Sequence, residues 1–345
     1  MLAEQLHAFM RRPIVVAPMA GGPSNPALVT AAADAGALGF LAAIYKTAEE
    51  MSAEIDAVRK STSEAFGVNV SVPGEATAQP GKVREYIASL AHDAHELATD
   101  LGDPVWDDDN WAAKVNVLLA DPPPIVSFTY GCPPRDIVDA FRLAGTVVAI
   151  TVTDADEARL ATDAGADILC VQGAEAGGHR GTFTNLEGTQ AGQDLGALIS
   201  AVANVTDLPQ IAAGGIMSAS AVVDLLRAGA IAAQCGTAFL CCPESGAHPA
   251  YKAALADDRF TSTALSRAFS GRLARGLVNQ FMLDHPDAPA AYPEINNATR
   301  PLRAAAARAG DMDRMSLWAG SGFRKAVDRP VGEIVDQLWP KSERR

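Results

Sequence analysis

Four short segments of this chain repeat one arrangement: Asp34-Ala35-Gly36-Ala37, Leu143-Ala144-Gly145-Thr146, Asp163-Ala164-Gly165-Ala166 and Arg227-Ala228-Gly229-Ala230. Each follows an Ala/Leu-rich stretch of helical character and precedes a short apolar run. That places the glycine where a helix ends and the chain turns into a strand. The repeated unit is therefore helix, glycine, strand. Reading outward from these glycines gives eight candidate strands at 14–17, 38–42, 66–70, 125–128, 146–150, 168–171, 210–213 and 232–235. They are short and continuously apolar, as parallel strands buried on both faces must be. Eight such strands alternating with helices predict an α/β fold, a (β/α)8 TIM barrel. A doubly wound open sheet would use fewer strands and a dinucleotide fingerprint, and no G-x-G-x-x-G occurs.

Two regions break the alternation. Residues 73–124 carry two helix-like stretches, 81–101 and 108–120, around the acidic turn Gly102-Asp103-Pro104-Val105-Trp106-Asp107, and read as an elaborated third unit in which Asp107 or Asp108 caps the second helix. From Pro243 onward helical segments near 249–256, 302–310 and 332–338 predict a C-terminal helical layer over the ligand side. The expected organisation is a barrel over 1–242, with the insertion inside it, and a covering segment over 243–345.

With 345 residues and 48% hydrophobic composition the chain can bury a full core. Forty-one acidic against 28 basic side chains give a formal charge of −13, which opposes nonspecific attraction to nucleic acid and to anionic lipid. A small-molecule partner is expected. No apolar run approaches the roughly 20 residues that span a bilayer, and residues 1–12 lack the order of a signal peptide, so the expectation is a soluble, cytoplasmic protein. The five cysteines include the neighbours Cys241 and Cys242 and suggest reduced, structural thiols rather than a disulfide framework.

Barrel enzymes carry function at the C-terminal ends of their strands. The sixth candidate strand delivers Gln172-Gly173-Ala174-Glu175-Ala176-Gly177-Gly178-His179-Arg180-Gly181, a glycine-rich loop with an imidazole beside a guanidinium. Glycines let the backbone approach a ligand closely, and a histidine exchanges a proton near neutral pH. The seventh and eighth strands run into Gly214-Gly215-Ile216 and Gln234-Cys235-Gly236-Thr237. Small residues after these two strands suit a phosphate site built from backbone N–H groups. The phosphate could belong to a cofactor or to a phosphorylated substrate.

Taken together, Pro13-Ile14-Val15-Val16-Ala17-Pro18-Met19-Ala20-Gly21-Gly22, Tyr45-Lys46-Thr47, Phe66-Gly67-Val68-Asn69-Val70, the loop 172–181, Ala212-Ala213-Gly214-Gly215-Ile216 and Gln234-Cys235-Gly236-Thr237-Ala238-Phe239-Leu240 resemble the nitronate monooxygenases, formerly called 2-nitropropane dioxygenases. The run Glu175 to Gly181 is the specific match; the other motifs are shared with FMN barrels such as the flavin-dependent enoyl-acyl-carrier-protein reductases. The resemblance implies FMN, with its phosphate against Gly214, Gly215, Gln234, Cys235, Gly236 and Thr237, and Met19, Asn69, Gln172 and Gly177 nearer the ribityl chain or ring. It also implies His179 as the general base that removes a proton α to a nitro group, O2 as the final oxidant, and Arg180 as a positioning residue; no metal is expected. Two other readings stand beside it, an FMN-dependent enoyl-thioester reductase using NAD(P)H and a non-redox barrel that binds a phosphorylated metabolite.

Departures from the family pattern fall at Ile44, Ser71 and Ser321, positions expected to border the substrate. Other candidates have simpler readings. His92 and His95 with Glu96 suit a solvated helix face, and Cys132 suits an ordinary strand-end thiol. Arg267, Arg272 and Arg275 form a cationic cluster for which surface salt bridges are as good an account as a ligand role. Tyr45, Tyr130 and Trp318 suit pocket walls or core.

Overall fold

A computed structural model describes residues 9–75, 78–188 and 192–340, so the extreme ends of the two expected units, 1–8 and 341–345, lie outside the described residues. The continuous apolar runs form parallel strands β1 (Ile14–Val16), β2 (Leu38–Ala42), β3 (Phe66–Ser71), β4 (Ile125–Thr129), β5 (Val147–Val152), β6 (Ile168–Gln172), β8 (Gln210–Ala213) and β9 (Ala232–Cys235). They close a barrel in the order β1-β2-β3-β4-β5-β6-β8-β9, the seam joining Val15 to Gln234. The expected strands and the (β/α)8 TIM barrel are thus observed, with ends differing by a residue or two. Gly36, Gly145, Gly165 and Gly229 all have φ between 77° and 104°, the left-handed region that ends a helix at low cost only for glycine.

The helices follow from spacing and caps. Ala48–Ser61 opens on a capping box formed by Thr47 and Glu50, and its buried residues Ala48, Met51, Ile55 and Val58 recur at 3, 4 and 3 residues, one stripe facing the barrel. Each large apolar side chain buried in this way contributes about 1.5–3 kcal/mol.

The insertion departs from expectation in detail. The stretch 81–101 is two helices, Pro80–Ser89 and Ala91–Glu96, ended by Ala98 at φ 46°. Asp107 and Asp108 do not cap the next helix. Their carboxylates accept the N–H groups of Asp109 and Asn110 in tight local turns. Asp109 and Asn110 are then both left-handed, at φ 54° and 56°, which delays the helix to Trp111–Ala120.

The C-terminal region contains a hairpin that the sequence pattern did not reveal. β10 (Thr263–Ser266) pairs with β11 (Ala274–Leu277), and β11 pairs with β7 (Gly178–His179), so His179 sits opposite Ala274 in a three-stranded antiparallel sheet. The helices Pro80–Ser89 and Glu294–Ala309 pack around Phe269 and Phe281 in a separate apolar cluster. The last helix, Val331–Leu338, is not part of the covering layer expected for it. Its stripe Val331, Ile334, Val335 and Leu338 packs into the barrel core against the helices Pro26–Asp34 and Ala219–Arg227, supplying the outer ring with the helix missing after β9. Among the described residues no helix is long and apolar enough to cross a membrane.

Candidate active site

A cavity of about 520 Å³ opens at the C-terminal ends of the barrel strands. It brings together Met19, Asn69, Gln172, Gly177, His179, Gly214, Gly215, Gln234, Cys235, Gly236 and Thr237. Arg180 is the exception among the loop residues singled out by sequence. It is buried at 1% exposure behind the cavity wall, donating from Nη1 to Gly173 O at 2.6 Å and from Nη2 to Gln172 O at 3.0 Å.

At one end of the cavity, Gly214 and Gly215 turn with φ of 129° and 68°, a conformation open to glycine. The amides of Gly214, Gly215, Gly236 and Thr237 donate to no protein acceptor among the described residues. Four N–H groups without a protein acceptor thus belong to residues lining one cavity, two of them where Gly236 leads into the short helical turn Thr237–Phe239, an arrangement that suits an anion such as phosphate. The C-terminal segment closes this end: Gly320 N donates to Thr237 Oγ1 at 2.9 Å and Ser321 N to Glu175 O at 3.0 Å. Gly177 fits because it has no side chain, since a Cβ there would lie 2.5 Å from the Gly320 nitrogen.

The cavity floor is a belt of neutral polar groups. Asn69 Nδ2 donates to Ser127 Oγ at 2.9 Å and Thr129 Oγ1 at 3.0 Å, and Gln234 Nε2 donates to Cys170 Sγ at 3.2 Å. Gln172 is occupied at both ends of its amide. Nε2 donates to His179 O at 3.1 Å, and Oε1 accepts the Gly181 N–H at 2.8 Å. It therefore fixes the histidine loop while its side chain forms cavity wall.

The upper chamber is aromatic and cationic. The His179 ring lies among Tyr130, Tyr292 and Trp318, with centroids 6.3, 5.8 and 5.4 Å away. Arg272 stacks on Tyr130 with its guanidinium carbon 3.9 Å from the ring centroid. Arg300 and Arg303 line the cavity from the helix Glu294–Ala309, and among the described residues no Asp or Glu lines it. Burial first, then the positive Arg272 and Arg303, push the His179 pKa down to about 3. The imidazole is neutral throughout the physiological range.

Its hydrogen-bond partner is Ser270. The Ser270 hydroxyl donates to Arg272 O at 3.1 Å while accepting the Arg272 N–H at 3.3 Å. Ser270 Oγ also lies 2.7 Å from His179 Nε2, in a hydrogen bond whose direction is set by the imidazole tautomer. In the tautomer with the proton on Nε2, Ser270 is the acceptor and Nδ1 carries the lone pair for proton abstraction.

Sequence reasoning missed Ser270, Tyr292, Arg300 and Arg303. The arginines had one legible signal: Arg300, Arg303, Ala304 and Ala307 recur at helical spacing and share the cavity-lining face. The expected cationic cluster is divided and, among the described residues, makes no salt bridge. Arg275 donates to Ala174 O, Arg267 to Leu186 O, and Arg272 donates to Arg180 O and stacks on Tyr130 behind the cavity lining. His92 and His95 are exposed on the helix Ala91–Glu96, whereas Asp93 between them is buried against His285 and Arg314. Cys132 lies outside the cavity lining, its thiol pushed up to about 12 by burial.

The chain matches the nitronate monooxygenase family model over residues 3–341. It is 38% identical to a nitronate monooxygenase of Pseudomonas aeruginosa over 345 residues, covering 95% of each chain. Among solved structures it superposes on a nitroalkane oxidase from Streptomyces ansochromogenes with a TM-score of 0.94 and 48% identity, covering 97% of this chain and 96% of that one. FabK from Thermotoga maritima shares the architecture at a TM-score of 0.72 and 25% identity, covering 98% and 94%. The chain belongs to the nitronate monooxygenase family of oxidoreductases.

Proposed function

We propose that this protein is an FMN-dependent nitronate monooxygenase that oxidises alkyl nitronates with O2 and admits nitroalkanes through proton removal by His179. The observation that carries the reading is the pairing, in one cavity, of amides without a protein acceptor and a neutral imidazole held by Ser270. The amides suit a phosphate, and the neutral amide and hydroxyl belt suits ribityl hydroxyls and a flavin ring. FMN held by Gly214, Gly215, Gly236, Thr237 and Asn69 supplies the electron transfer and the reaction with dioxygen.

The remaining work falls to side chains of the chain itself. A nitronate is a planar anion, and a chamber lined by Arg300 and Arg303, with no carboxylate among the described residues, favours it over a neutral molecule. Tyr130, Tyr292 and Trp318 enclose the imidazole and limit water around the reacting carbon. With a nitroalkane, Nδ1 takes the proton from the α-carbon, and the nitronate formed stabilises the new imidazolium as its counter-charge. The low intrinsic basicity of His179 makes this step slow relative to use of a preformed nitronate.

The test is His179→Asn. Turnover of neutral nitroalkanes should fall by about 100-fold or more, the scale of a lost general base, while oxidation of preformed nitronates changes little. Equal loss on both substrates would show that His179 orients the ligand without abstracting a proton.

A further inference from the structure

Lys114 lies in the helix Trp111–Ala120 with its side chain fully buried, and its ammonium is 2.7 Å from Asp109 Oδ2. A charge so placed is retained only when paired. Burial drives the Asp109 carboxyl up and the Lys114 ammonium down, each toward its neutral form, and their attraction opposes both shifts. Asp109 also reaches outside the insertion. The Tyr45 N–H donates to its Oδ1 at 3.0 Å, and the Ser71 hydroxyl donates to its Oδ2 at 3.1 Å. One carboxylate therefore ties the acidic turn to the ends of β2 and β3.

The tied residue is strained and functional in position. Tyr45 has φ 70° and Asp109 φ 54°, left-handed values that residues other than glycine hold only where their surroundings enforce them. Tyr45 lines the cavity, its hydroxyl accepts from Tyr292 at 3.4 Å, and the Arg300 guanidinium lies 5.5 Å from its ring. Asp109, Lys114 and Ser71 do not line the cavity. We infer that the pair of half-buried Asp109 and buried Lys114 is a latch that holds Tyr45 as one wall of the substrate chamber, so that an element far from the flavin cradle sets how tightly, and at what chain length, a nitronate binds. Asp109 is a positioning residue acting through Tyr45. The inference rests on the cavity being the nitronate chamber. It also explains Ser71, whose hydroxyl serves the latch where the family pattern has a bulky apolar side chain.

The experiment compares flavin-loaded variants on a series of alkyl nitronates of increasing length, together with calorimetric binding of propionate, a non-oxidisable planar anion. The double variant Asp109→Ala with Lys114→Met removes both charges and the acceptor for the Tyr45 N–H. Its KM should rise about tenfold, the worth of one such hydrogen bond, with a flattened dependence on chain length, and kcat should stay within about twofold. Asp109→Asn with Lys114→Met also removes both charges but keeps an acceptor, and its KM should stay within about threefold of the unaltered protein. Adding Tyr45→Ala to the first double variant should raise KM no further, because the two changes act on one wall. Asp109→Glu keeps the ion pair, and with it the fold, while moving the carboxylate by a methylene; it should raise KM several-fold. Equal KM and equal propionate affinity in all folded variants would overturn the latch, as would Tyr45→Ala effects that simply add to it. Failure of the unaltered protein to oxidise any nitronate would defeat the functional reading alone, and propionate affinity would still decide the latch.

Discussion

Lowering the pH should destabilise this protein through His179 in a way that can be isolated. An imidazole that is ordinary in the unfolded chain titrates near 6.5, whereas in the folded protein burial, Arg272 and Arg303 hold it down to about 3. Between those values the unfolded chain binds a proton that the native state refuses, so stability falls as pH falls; above about 6.5 the contribution is fully present. Each pH unit in that window is worth at most about 1.4 kcal/mol, so moving from about pH 7.5 to about pH 5 costs about 2 kcal/mol, reduced toward 1 kcal/mol by water in the cavity. For a chain of 345 residues the unfolding entropy is about 0.7 kcal/mol per degree, and the expected drop is about 1.5–3 °C in Tm. The assay is calorimetry of flavin-loaded protein and its His179→Asn variant across that range. All other titrating groups are shared, so the variant should lose less Tm than the parent by that amount. Parallel curves would mean that His179 protonates normally in the folded state, and the neutral-base argument would fail with it.

Three further outcomes follow from individual contacts. Ser270→Ala frees the His179 tautomer and should lower kcat/KM for nitroalkanes by about 10-fold while leaving preformed nitronates within a few-fold, a ratio measured by oxygen uptake. Gly215→Ala puts a Cβ 2.9 Å from Glu175 Cβ at φ 68°; the strain of about 1–2 kcal/mol should appear as at least about a 10-fold loss of FMN affinity in ultrafiltration. Arg180→Met leaves the carbonyls of Gly173 and Gln172 without their charged donors, and should reduce stability by about 3 kcal/mol, seen as a lower urea midpoint at unchanged m-value.

The barrel was legible because a strand buried on both faces is a continuous apolar run, and because Gly36, Gly145, Gly165 and Gly229 mark helix ends by a conformation other residues resist. The histidine loop was legible for the same local reason: its residues are contiguous. What stayed hidden was assembled across distance. Ser270 lies 91 residues from His179, and nothing in its neighbourhood distinguishes it from any loop serine. β7 is two residues long, too short for any periodicity, and it exists only because β11 offers an edge. Arg272 read as part of a surface cluster because local sequence does not reveal that the Tyr130 ring will cover it. The last helix had the right stripe, but its place in the outer ring depends on the gap left after β9.

Anaerobic mixing of the purified protein with an alkyl nitronate, and separately with NADH and NADPH, tests the central claim most directly. The protein should carry FMN and lose its oxidised-flavin absorbance on meeting the nitronate, with little change on meeting either reduced nicotinamide. Bleaching by a nicotinamide and none by a nitronate would contradict it, as would colourless protein that takes up no FMN.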